Sequence, residues 1–193
     1  MLMTNDNIRL NLHDRVLAKT VLRLIPRWVL PNYLTVARLL LAPFVLYFLW
    51  KEDWSMALLF FLLAALTDAL DGSMARTRKQ ITLWGTVVDP IADKVLIGSV
   101  VVLFVAQEIN LLFAILILAV EFLIAAAALW RQRRGLYSSA NEYGKLKMLF
   151  QVVGVSLLLL ARLVGVHMVV PFATGTLAVA VVFAIVSLLT YGI

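Results

Sequence analysis

The sequence predicts an all-α membrane protein, with six transmembrane helices preceded by an amphipathic helix lying in the membrane interface. Three observations carry that reading. Of 193 residues, 63% are hydrophobic and only 15% charged, against roughly a quarter charged in soluble domains, and the mean hydropathy is +0.98. The apolar residues gather in runs of about 20, the length that crosses a bilayer as a helix. Lys and Arg collect between alternate runs, in residues 1–30, 76–79 and 131–147, and an excess of these residues marks the cytoplasmic loops of membrane proteins.

The arm, residues 1–30, repeats a basic residue every fourth position at Arg15, Lys19, Arg23 and Arg27. Leu17, Val21, Leu24 and Trp28 form a neighbouring apolar stripe, the pattern of a helix lying on a membrane surface. Residues 1–28 are too charged to contain the apolar region of a cleavable signal peptide. The rest, residues 31–193, reads as one six-span domain.

Spans are expected over residues 33–50, 54–72, 85–106, 110–130, 146–163 and 168–190. Pro31 suits a helix start because its ring fixes φ, and Asn32 suits side-chain capping. Pro43 and Pro171 are expected to kink their spans locally. Trp28, Trp50, Trp54, Trp84 and Trp130 fall at span ends, as an interfacial belt requires. Both termini are expected in the cytoplasm. The net charge of +6 then reflects orientation and anionic lipid rather than nucleic acid. There is no cysteine, which excludes thiolate chemistry and disulfides.

Against this background four carboxylates stand out: Asp68, Asp71, Asp89 and Asp93. Each would cost roughly 2.5–3.5 kcal/mol at the centre of a membrane helix, so positive charge must meet them. Asp68 and Asp71 are three residues apart, and Asp89 and Asp93 four, so each pair shares one helix face. The expected topology brings both pairs to the cytoplasmic leaflet. Oxygen ligands without His or Cys select magnesium, manganese or calcium over zinc. Four carboxylates can hold two such ions, an arrangement that supports in-line displacement at phosphorus. Salt bridges to Arg38, Arg76 or Lys94 are the plainer alternative. His13 and His167 are isolated and carry no expected chemistry.

The run Asp68-x-x-Asp71-Gly72-x-x-Ala75-Arg76, eight residues, Gly85-x-x-x-Asp89-x-x-x-Asp93 resembles the complete signature of the CDP-alcohol phosphotransferases. The resemblance implies Mg2+ or Mn2+, two ions, bound by Asp68, Asp71, Asp89 and Asp93, with Asp93 also the general base. It implies that Gly72, Ala75, Arg76 and Gly85 hold the CDP group of a CDP-diacylglycerol substrate, and that the enzyme is a homodimer.

The acceptor alcohol is read from two further segments. Gly144-Lys145-x-Lys147-x-x-x-Gln151 and Pro31-Asn32-x-x-Thr35-x-x-Arg38 resemble motifs of bacterial phosphatidylglycerophosphate synthases. That likeness implies glycerol-3-phosphate as acceptor, phosphatidylglycerophosphate and CMP as products, and a bacterial inner membrane location. Arg38, Lys145 and Lys147 are then the expected phosphate pocket. Positive-inside flanking is the plain alternative for the lysines, and snorkelling or pairing with an Asp for Arg38. Two positions depart from the pattern: Met148 stands where those synthases have Thr, and Val120 precedes Glu121 where they have Arg-Glu. Glu121, in mid-span, is either functional or hydrogen-bonded to another helix. The competing classes are the same chemistry on inositol phosphate, serine or phosphatidylglycerol, a divalent-cation transporter, and a lipid-binding scaffold.

Overall fold

The computed structural model describes residues 30–77, 94–133 and 142–191, and among them every regular element is helical. In chain order these are α1 (Pro31–Trp50), α2 (Trp54–Thr77), α3 (94–108), α4 (Leu111–Arg133), α5 (Glu142–Val164) and α6 (Val170–Tyr191). α3 contains a π-helical stretch, Val101–Val105, and a short 3-10 turn, His167–Val169, leads into α6. Five of the described helices are long and apolar enough to cross a membrane: α1, α2, α4, α5 and α6. The expected third span begins before the described part of α3. The expected interfacial arm lies outside the described residues.

Local chemistry explains the ends. Pro31 occupies the first turn of α1, and Leu30, extended at φ −86°, takes the N-cap position in place of the expected Asn32. Asp53 Oδ1 accepts from the Met56 amide at 3.1 Å, capping α2. Asn110 does the same for α4 through the Leu112 amide at 2.7 Å. α5 ends at Gly165, whose φ of +73° is left-handed, and the Val166 amide returns to the Ala161 carbonyl at 3.1 Å. That six-to-one bond is a Schellman stop. Pro171 lies in the first turn of α6, where a missing N–H breaks no helical bond. Pro43 lies inside α1, and the helix continues through it.

The core is built from stripes at alternating three- and four-residue spacing. On α1 the stripe is Thr35, Arg38, Ala42, Val45 and Leu49; on α2 it is Ala57, Phe61, Ala64, Asp71 and Met74, all buried. α1 and α2 pack together, as do α5 and α6, with α3 and α4 completing the bundle. Stacked rings reinforce the seams: Phe44 and Phe48 on Phe60, Trp54 on Phe104, and Phe150 on Phe183. Large apolar side chains such as Leu112, Phe122, Met168 and Phe172 face outward. Such a surface belongs against lipid, and the chain is an integral membrane protein.

Because consecutive helices run in opposite directions, the start of α1, the end of α2 and the starts of α3 and α5 gather at one end of the bundle. The loops at 51–53 and 165–166 and the end of α3 lie at the other. The candidate site is built at the first of these ends.

Candidate active site

Among the described residues Arg38 is the largest fully buried side chain, with no exposed surface. It sits in the α1 stripe, facing the α2 stripe that carries Asp68 and Asp71. Its Nη1 lies 2.7 Å from Asp68 Oδ1, and its Nη2 donates to Asp71 Oδ2. Asp71 is buried and Asp68 is partly open. One guanidinium therefore bridges two carboxylates a helical turn apart, which relieves the charge cost anticipated from the sequence. The Nη1 contact is an ion pair by distance but is off hydrogen-bond alignment, and Nε is buried without a hydrogen-bond partner.

The remaining residues of the acidic signature divide by position. Gly72 follows Asp71 within α2, and Ala75 and Arg76 lie in its last turn. Ser73, unremarked in the sequence reading, is fully buried with its Oγ unpartnered. Gly85, Asp89 and Asp93 lie outside the described residues. The described half of the donor set, two carboxylates on one helix face without nitrogen or sulfur ligands, suits Mg2+ or Mn2+. Each carboxylate has about four lone-pair positions, so an arginine contact does not exhaust it.

The lysines of the expected acceptor pocket separate. Two residues apart on a helix is about 200° of rotation, so Lys145 and Lys147 do not share a face. Lys147 turns inward and is 9% exposed; Lys145 is half-buried. Arg38, the third expected member, belongs to the Asp68–Asp71 group.

Lys147 instead meets Glu121. Its Nζ donates to Glu121 Oε1 at 2.7 Å, and Gln151 Nε2 donates to the same oxygen at 2.8 Å. Lys94 Nζ donates to Glu121 Oε2 at 3.1 Å and to the Glu121 carbonyl at 3.0 Å. The mid-span glutamate is thus hydrogen-bonded to two other helices, one of the two outcomes expected for it. None of its three side-chain partners, Lys94, Lys147 and Gln151, was foreseen. Gln151 had a signal, since it lies four residues after Lys147 on the same face. Lys94 had none, because its partner is 27 residues away.

At the far end of the bundle Arg162 forms a bidentate pair with Glu108, at 2.7 Å from Nε and 2.6 Å from Nη2. Its guanidinium carbon stands 6.0 Å from the Trp54 ring centroid. This group ties α5 to α3 and α2 and shares no residue with the site.

A family model described as CDP-alcohol phosphatidyltransferase matches residues 28–190. Over 174 residues the chain is 33% identical to the CDP-diacylglycerol–glycerol-3-phosphate 3-phosphatidyltransferase of Bacillus subtilis (strain 168), covering 82% of this chain and 90% of that protein. The protein of the same name from Rickettsia typhi is 33% identical over 135 residues, 68% of this chain and 76% of that one. The rat Cardiolipin synthase (CMP-forming) is 38% identical over 111 residues, 56% of this chain and 37% of that one. A match across most of the chain, joined to a bundle that brings Asp68 and Asp71 onto one face, leaves a single assignment: the chain belongs to the CDP-alcohol phosphatidyltransferase family.

Proposed function

We propose that this protein transfers a phosphatidyl group from CDP-diacylglycerol to glycerol-3-phosphate, giving phosphatidylglycerophosphate and CMP. The observation that carries the acceptor is the likeness to the Bacillus subtilis enzyme, which extends over 82% of this chain and 90% of that one. The acceptor hydroxyl oxygen attacks the phosphorus that bears diacylglycerol. A new P–O bond forms there, the bond to the CMP phosphate breaks, and CMP leaves with the electron pair. Asp93 takes the hydroxyl proton. Gly72, Ala75, Arg76 and Gly85 hold the CDP group.

Asp68, Asp71, Asp89 and Asp93 would hold Mg2+ or Mn2+, two ions, which when bound supply positive charge to the pyrophosphate. Arg38 keeps the first two carboxylates paired and retains a buried Nε as a donor. Lys147, the inward-facing lysine of the pair, recruits the acceptor phosphate. The distribution of Lys and Arg supports a cytoplasmic site, and a bacterial inner membrane rests on the family resemblance. A homodimer rests on family resemblance.

The same chemistry on another alcohol is the second reading, and the likeness to a cardiolipin synthase favours it over more distant ones. A cation path is disfavoured by the cations already seated on the acids: Arg38 on Asp68 and Asp71, Lys94 and Lys147 on Glu121. The deciding experiment offers glycerol-3-phosphate, inositol phosphate, serine and phosphatidylglycerol separately to purified protein with CDP-diacylglycerol and measures CMP release. Release with glycerol-3-phosphate alone is expected. Release with another alcohol and none with glycerol-3-phosphate would overturn the acceptor.

A further inference from the structure

The buried stripe of α3 does not keep the spacing of its neighbours. On α1 the buried positions advance by alternating steps of three and four residues, at Thr35, Arg38, Ala42, Val45 and Leu49. On α3 they advance by four each time, at Leu96, Val100 and Phe104 and, beside them, at Ile97, Val101 and Val105. At about 100° per residue, a continuous α-helix would turn Phe104 about 80° away from Leu96. The π-helical stretch Val101–Val105 removes that drift. The Ala106 amide bonds back to the Val101 carbonyl, a span of five residues. By Ile109 the ladder is α-helical again, its amide meeting the Val105 carbonyl at 3.0 Å. One residue is thus absorbed in a wider turn, which brings Leu96 and Phe104 to within about 20° of one line.

The same absorbed residue reconciles two polar attachments. Upstream of the turn, Lys94 Nζ donates to the Glu121 carbonyl and Oε2 on α4. Downstream, Glu108 accepts both contacts from Arg162 on α5. Lys94 and Glu108 are fourteen residues apart, and an unbroken α-helix would leave them only about 40° apart around its axis. Absorbing one residue opens that angle to about 140°, so the two side chains can serve different helices. The downstream end is the more firmly fixed, by the bidentate pair and by Phe104 stacked on Trp54 at 5.6 Å. Upstream, Lys94 is 30% exposed.

We propose that the π-helical turn Val101–Val105 is a positioning element that sets which face the upstream end of α3 presents to α4. Its functional half rests on the proposed reaction, in which the base, Asp93, immediately precedes Lys94 in the sequence. A wide turn inside an α-helix is uncommon and frequently accompanies a functional site. Here it lets α3 keep one buried stripe and both attachments at once.

The test removes the extra residue and reads the register directly. A Cβ built on Gly98 stands 3.7 Å from Leu118 Cδ2, and the chain has no cysteine, so G98C/L118C carries the only thiols. A short bifunctional methanethiosulfonate should cross-link that pair in the purified full-length protein. Failure to do so overturns the proposal at the outset. Leu103 lies within the turn with its side chain exposed, so its deletion takes out a residue without emptying the core. Deletion should abolish the cross-link and lower CMP release about a hundredfold, the scale of a misplaced reacting group. L103A, which loses the side chain but keeps the residue count, should retain both. A deletion that keeps the cross-link or full turnover overturns the proposal, and so does an L103A that loses as much. If the deletion alone does not fold, R162A is added to free the downstream end to turn instead. The proposal then requires recovery of folded protein and of the cross-link, and no recovery overturns it. A wild-type protein that releases CMP with no acceptor would remove the proposed reaction, while the cross-link still judges the register.

Discussion

Arg38 Nη1 stands 2.7 Å from Asp68 Oδ1, across the seam between the first two helices, with the arginine side chain wholly buried. The same guanidinium also reaches Asp71, so one cation from α1 satisfies two acids of α2. Removing one partner of a buried ion pair costs about 3–5 kcal/mol, because the other charge stays buried without compensation. R38M should therefore lower the thermal unfolding midpoint sharply in detergent or nanodiscs. Adding D71N to R38M should return part of that stability while leaving turnover low. Strictly additive losses in the double variant would show that the two residues are not energetically coupled.

Chelation separates the roles of the carboxylates. EDTA is expected to stop CMP release, and Mg2+ or Mn2+ to restore it. D68N and D71N should each bind Mn2+ more weakly, as read by electron paramagnetic resonance of the free ion. D93N should lose at least about a hundredfold in turnover, the low end of general-base contributions, while still binding CDP-diacylglycerol. Full turnover in D93N would remove the base assignment.

Much of this arrangement was legible in the sequence, and the parts that were not share a cause. Span positions follow from hydropathy, and the observed ends of α1, α2 and α4 lie within a few residues of those expected. The shared face of Asp68 and Asp71 follows from helical spacing. Arg38 was among the cations expected to pair with these acids, and it meets Asp71 across 33 residues of sequence. The partners of Glu121, 26, 27 and 30 residues away, do not follow, because they depend on how each helix is rotated about its own axis. Spacing within α5 nevertheless separates Lys145 from Lys147, so a pocket needing both on one face was already strained on helical geometry alone.

Arg162 and Glu108 offer a control at the opposite end of the bundle. The pair is bidentate, but the arginine side chain is 41% exposed, so its contribution is expected near the surface value of about 1 kcal/mol or less. R162A should lower the unfolding midpoint by roughly 2–4 °C, as expected for a loss of that size in a chain of this length. R162K should fall between, since a lysine cannot reproduce the two parallel contacts. Neither change should alter the KM for either substrate. A selective effect on acceptor KM would mean that the two ends of the bundle are coupled.

Gly154 decides how closely α5 and α6 approach. A Cβ there would stand 2.7 Å from Leu177 Cγ, 2.8 Å from Leu177 Cδ2 and 3.3 Å from the Ala173 carbonyl oxygen. Leu177 and Ala173 are themselves buried, so neither has open space into which to retreat. Overpacking of this kind costs about 1–3 kcal/mol, and the gain in helix propensity from replacing glycine, about 1 kcal/mol, offsets only part of it in G154A. G154L adds three more carbons to the same contact and should destabilise the bundle further. Gly175 lies on α6 with nothing within 4 Å of its would-be Cβ, so G175A carries the propensity gain without the clash. Thermal unfolding of the three variants should rank G175A at or above the wild type, then G154A, then G154L. Equal midpoints for G154L and G175A would show that α5 and α6 are not in close contact at this crossing. Because α5 also carries Lys147 and Gln151, G154L should in addition weaken acceptor use through displacement of the helix that presents them.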